Sequence, residues 1–129
     1  MNGRRFLLDT NAIIQLFKGN AELSALLSSA SFVAVSVISE MEYLSFSGLS
    51  DHDANLFKEF RADIDIFGVP ADDHSFTQMV VEARTRFRMK LPDAIIAATA
   101  RENGLTILTA DDHFKPLQDP WNVQFFTLF

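Results

Sequence analysis

The sequence predicts an α/β protein, with helices on both faces of a central, mainly parallel sheet of four to five strands. Three observations carry this. Short apolar runs alternate with segments of helical periodicity, the connections hold the capping and stop residues of helices, and the runs are apolar on both faces, as strands covered on both sides must be. At 129 residues, with 48% hydrophobic residues and 13 Phe, the chain suits one domain spanning residues 1–129, with the Phe filling its core.

Phe6-Leu7-Leu8 is the first strand, ended by the capping cluster Asp9-Thr10-Asn11; Ala12, Ile13, Leu16 and Phe17 then repeat as a helix. Gly19-Asn20 closes it, and Leu23, Leu26 and Leu27 mark a second short helix. Phe32 to Ile38 reads as a strand, followed by a helix around Glu40 to Leu44 and another through Ala54, Leu56, Phe57 and Phe60. Ile64 to Val69 is the third strand, and Phe76, Met79, Val80 and Ala83 the next amphipathic helix. Leu91-Pro92 stops the basic segment Arg84 to Lys90, and from Asp93 a helix of small residues, Ala94 to Ala100, runs to the stop at Asn103-Gly104. Leu105 to Leu108 is the fourth strand, Thr109 to His113 its exit loop, and Val123 to Phe126 a last strand.

The absence of Cys excludes disulfide stapling and thiolate metal sites, and makes a reducing cytoplasm the expected setting. The apolar run after Arg4-Arg5 is too short for a signal peptide, and no stretch approaches a membrane span. The formal net charge of -6 opposes nucleic-acid binding at first sight. That objection weakens if several carboxylates share a bound cation, because the cation inverts the local sign.

In parallel sheets, ligands sit beyond the carboxyl ends of the strands. Asp9 follows the first strand and Asp111 the fourth, so both fall on one sheet edge; Glu42, one turn into its helix, and Asp93, opening the small-residue helix, can lean over that edge. Each acid also has an ordinary explanation as a cap, a turn residue or a solvated helix residue. Those explanations leave Asp93 beside so apolar a helix without a partner. Converging carboxylates repel and take up protons unless a cation holds them ionised, and oxygen ligation without a His or Cys cluster selects Mg²⁺ or Mn²⁺.

Leu7-Leu8-Asp9-Thr10-Asn11, Ser36-Val37-Ile38-Ser39-Glu40-Met41-Glu42, Leu91-Pro92-Asp93-Ala94-Ile95-Ile96-Ala97-Ala98-Thr99-Ala100 and Leu108-Thr109-Ala110-Asp111, in this order and spacing, resemble a PIN-domain protein of the VapC type, the toxin half of a type II toxin–antitoxin pair. The resemblance implies a single PIN domain, a three-layer α/β/α sandwich, with Mg²⁺- or Mn²⁺-dependent endoribonuclease activity by a metal-activated water. It also implies a cognate antitoxin and a homodimer. It places catalytic acids at Asp9, Glu42, Asp93 and Asp111, metal ligands at Asp9, Asp93 and Asp111, and supporting groups at Thr10, Asn11 and Asp112. Asp112 competes with Asp111 as the fourth acid; Glu40 competes with Glu42, from which it lies about 200° around an ideal helix.

Arg84, Arg86, Arg88 and Lys90 form a positive stripe before Asp93, either a contact for RNA phosphates or a solvated helix end. His52, His74 and His113 read as surface loop residues, with only His113 near the site. A haloacid-dehalogenase-type phosphatase needs a second Asp where Asn11 stands, and a response-regulator receiver needs an Asp directly after the third strand; neither is present. A PIN fold acting only as a binding module is the remaining rival.

Overall fold

Two strands run directly into the N-cap of the following helix, at Asp9 and Ser36, and this local chemistry helps set the architecture. In the computed structural model, which describes residues 4–128, β1 (Arg5–Leu8) leads to α1 (Thr10–Phe17) and α2 (Ala21–Ser28). β2 (Phe32–Ser36), α3 (Val37–Leu44), α4 (Asp51–Arg61) and β3 (Asp65–Phe67) follow. α5 (His74–Thr85), α6 (Leu91–Glu102), β4 (Thr106–Thr109), a 3₁₀ segment (Asp112–Leu117) and β5 (Val123–Phe125) complete the chain.

The five strands form one sheet in the order β3-β2-β1-β4-β5, and every pairing is parallel. β1 is central, which explains its uninterrupted apolar run: Leu7 packs on one face, and Phe6 and Leu8 on the other. Beside Leu7 lie Ala34 and Ile107, covered by Ala94, Ile96, Ala97 and Ala100 of α6 together with Ala83, Phe114 and Trp121. Beside Phe6 and Leu8 lie Val35 and Leu108, covered by Ala12 and Ile13 of α1, Leu23 of α2 and Phe57 of α4. The expected three-layer sandwich is thus present, with small residues letting α6 approach the sheet closely. Phe6, Phe57, Phe76, Phe114 and Phe126 are buried, whereas Phe46 is 64% exposed.

Two glycines close helices as expected. Gly19 (φ 86°) and Gly104 (φ 65°) occupy the left-handed region just after α1 and α6. Asn20 then caps α2 by accepting from the Leu23 N–H at 3.0 Å.

The structure corrects several boundaries. β2 ends at Ser36 rather than Ile38, because the Ser36 hydroxyl accepts from the Ile38 N–H at 3.1 Å and starts α3 there. β3 covers Asp65–Phe67 instead of 64–69, limited by its register with Ala34 to Ser36. β4 is shifted to Thr106–Thr109, and β5 ends at Phe125, as their mutual pairing of Thr109 with Phe125 requires. The helix expected from Asp93 begins at Leu91, with Pro92 inside the first turn, where a missing N–H costs nothing. The exit loop after β4 passes into a 3₁₀ segment capped by Asp111.

Candidate active site

β1 and β4 are neighbours, and both end at the same edge of the sheet. The chain leaves β1 through Asp9, which caps α1: Oδ1 accepts from the Ala12 N–H at 2.8 Å. Its Oδ2 accepts from the Thr109 hydroxyl, and Thr109 Oγ1 in turn accepts from the Asp111 N–H at 2.9 Å. Thr109, fully buried at the end of β4, therefore ties the first acid to the loop that carries the last. As a polar residue closing an apolar strand two positions before Asp111, it was visible in the sequence but escaped assignment as a site residue.

α3 and α6 bring the other acids. Glu42 is exposed at the rim and accepts from the Thr10 hydroxyl at 2.5 Å. Glu40, on another side of α3, accepts from Arg61 Nε at 2.6 Å. Asp93 stands in the first turn of α6, half-buried. Asp9, Thr10, Asn11, Glu42, Asp93 and Asp111 line one cleft of about 350 Å³, with Ile14 and Phe46 as its apolar wall. Asp112 does not line it: it is exposed, lies 3.5 Å from Lys115 and borders the adjoining cleft instead.

Electrostatics follow from this crowding. Burial, opposed by the hydrogen bonds from Thr109 and the Ala12 N–H and reinforced by Asp111 and Asp93, pushes the Asp9 carboxyl up to about 6. Asp93 is likewise raised, by burial first and then by Asp111 and Glu42, with His113 and Lys90 pulling the other way.

His113 belongs to this neighbourhood more closely than a surface loop residue would. Its backbone N–H donates to Asp111 Oδ1 at 2.9 Å, and its Nδ1 lies 3.3 Å from the same oxygen. One ligand atom each from Asp93, Asp111 and His113 lie within 4.8 Å of one another. Two of these three donors are hard carboxylate oxygens, which suits a divalent cation; Asp9, the other expected ligand, lines the same cleft but stands outside this group of three, and a positive charge there would oppose the rise of both Asp93 and Asp9.

The structure places the four residues of the basic stripe in different surroundings. Arg84 is exposed on α5, and Arg86 donates to Glu82 at 3.1 Å and lies over the Phe87 ring. Arg88 and Lys90 line a second cleft beside Asp93.

The fold is thus a parallel α/β sandwich with acids gathered at the carboxyl edge of its central strands. The chain belongs to the PIN domain family, whose model matches residues 6–119. The fold is also that of several solved structures. A toxin–antitoxin complex from Klebsiella pneumoniae is similar at 26% identity and a TM-score of 0.74, covering 95% of this chain and 97% of that chain. VapBC2 from Rickettsia felis bound to a promoter DNA fragment is similar at 19% identity and a TM-score of 0.77, covering 95% and 98%. VapBC-5 from Mycobacterium tuberculosis is similar at 23% identity and a TM-score of 0.66, also covering 95% and 98%. No curated protein sequence matches significantly. No helix among the described residues is long and apolar enough to cross a membrane.

Proposed function

We propose that this protein is a VapC-type toxin, a Mg²⁺- or Mn²⁺-dependent endoribonuclease held in check by a cognate antitoxin in the cytoplasm. The observation that carries the reading is the convergence of Asp9, Glu42, Asp93 and Asp111 on one cleft.

Asp9, Asp93 and Asp111 would hold the cation. Once bound, it supplies a stronger water nucleophile and offsets negative charge on a phosphoryl oxygen. The chain's own groups do the positioning. Thr109 and the Ala12 N–H fix both oxygens of Asp9, so the carboxylate cannot swing out of the cleft. Thr10 holds Glu42 at the rim, where its free oxygen can orient the attacking water. Glu40, paired with Arg61, does not line the cleft. The cleft is open, as a polymer substrate requires, and hydrolysis would leave a 3′-hydroxyl and a 5′-phosphate.

Apolar surface beside the site supports a protein partner. Met41, Leu44 and Phe46 of α3 and the loop after it are 58%, 42% and 64% exposed. Phe46 also borders a cleft of about 430 Å³ lined by Ile14, Phe17, Tyr43, Leu49 and Leu56. The similarity to toxin–antitoxin complexes makes an antitoxin the natural occupant. A homodimer belongs to the same reading, and its mass in solution checks it.

The test is cleavage of single-stranded RNA by the purified protein. Cutting with Mg²⁺ or Mn²⁺ that stops with EDTA supports the assignment. A folded protein that binds RNA but cuts none under any divalent cation is a binding module, and the assignment fails.

A further inference from the structure

We propose that the cleft beside Asp93 is a phosphate subsite, where Arg88, Lys90 and His113 grip the RNA backbone next to the phosphate being cut. The proposal rests on the ribonuclease reading and extends it to substrate grip.

The cleft has a volume of about 300 Å³, and its lining includes Arg88, Lys90, Asp93, Asp112 and His113. That size suits one nucleotide unit. Asp93 also lines the acidic cleft, so the two spaces adjoin at this residue. The lining carries cations in a chain whose formal net charge is -6. Among the described residues neither Arg88 nor Lys90 has an ion-pair partner, whereas Asp112 is already beside Lys115. His113 uses Nδ1 toward Asp111 and has a second ring nitrogen left for a ligand.

Arg88 adds an independent observation. Its φ is 59°, in the left-handed region where an arginine is uncommon and Gly or Asn is the ordinary occupant. Backbone strain of this kind clusters at ligand-binding sites, and Arg88 lines this cleft. Arg86, two residues earlier, provides the contrast, being committed to Glu82 and Phe87.

The experiment measures binding of a labelled, mixed-sequence single-stranded RNA by fluorescence anisotropy, in EDTA, over a range of salt concentrations. Each lost phosphate contact lowers the slope of log K against log salt by about 0.7, which is about a fivefold loss of affinity at 0.1 M salt. Arg88→Gly, which suits the backbone, and Lys90→Gln are each expected to show this loss. Arg88→Lys should retain most of the slope, and Arg86→Gly should change neither quantity. The proposal is overturned if Arg86→Gly weakens binding as much as Arg88→Gly, or if wild type binds no RNA. It is also overturned if Arg88→Gly and Lys90→Gln bind RNA like wild type, including the case where they lose an acidic protein partner instead. Because EDTA removes the cation, failure here is separable from failure to cleave with Mn²⁺.

Discussion

Replacing Asp9 by Asn should stabilise the metal-free protein at neutral pH, although it removes a proposed metal ligand. The Asp9 carboxyl titrates at about 6 in the fold against an ordinary value of 3.8, chiefly because it is buried. A carboxyl that ionises less readily in the folded than in the unfolded chain favours folding when protonated. Its contribution is complete below pH 3.8 and is lost as the pH rises through 6. At pH 7 the difference amounts to about 3 kcal/mol against the folded state. Asn keeps the acceptor for the Ala12 N–H, but its amide meets a Thr109 hydroxyl that now donates to nothing, a loss of about 1 kcal/mol. The net gain of about 2 kcal/mol corresponds to a Tm higher by roughly 7 °C for a chain of this length. The assay is thermal unfolding in EDTA at pH 7 and pH 4. The variant should lead at pH 7 and lose its lead at pH 4, and saturating Mn²⁺ should raise the Tm of wild type alone. A variant that is less stable than wild type by the same margin at both pH values refutes the argument from burial and repulsion.

Thr109→Val keeps the shape but removes the link between Asp9 and the Asp111 loop; kcat should fall by roughly tenfold to a hundredfold, with a stability loss of about 1–3 kcal/mol, read by RNA cleavage and denaturant unfolding. The two acids of α3 should behave oppositely: Glu42→Gln abolishes most cleavage, while Glu40→Gln, which loses only an exposed pair with Arg61, leaves the rate within about twofold. Ser36→Ala removes the cap of α3 and should cost about 1 kcal/mol in urea unfolding. Tying Glu42 to Thr10 also predicts that Thr10→Val slows cleavage roughly tenfold with little change in Tm, measured on the same preparations.

The layered architecture was legible because strand and helix periods differ and because β1, β2 and β4 are buried on both faces, leaving unbroken apolar runs such as Phe6-Leu7-Leu8. Boundaries were less so. Val37 and Ile38 are β-branched and extend the pattern of β2, and only the Ser36 hydroxyl, a single hydrogen bond, turns them into a helix. Pro92 looked like a stop although a first helical turn accommodates it. At the site, Asp9 and Asp111 were predictable from parallel strands alone, since each follows a strand. The choice of Glu42 over Glu40 required the family pattern; in the structure Glu42 pairs with Thr10 and Glu40 with Arg61. The role of Thr109 depends on its contact with Asp9, far away in sequence, which no local pattern records; the pairs His113–Asp111 and Arg86–Glu82 are close in sequence, but which side chains they engage shows only in three dimensions.

Anomalous diffraction at the manganese edge, from crystals soaked in Mn²⁺, addresses the cation site most directly. A peak is expected in the cleft within ligand distance of carboxylate oxygens from Asp93 and Asp111, with Asp9 in its coordination sphere or one water away. A well-ordered cleft with no peak, or a peak held by acids elsewhere on the surface, would contradict the assignment.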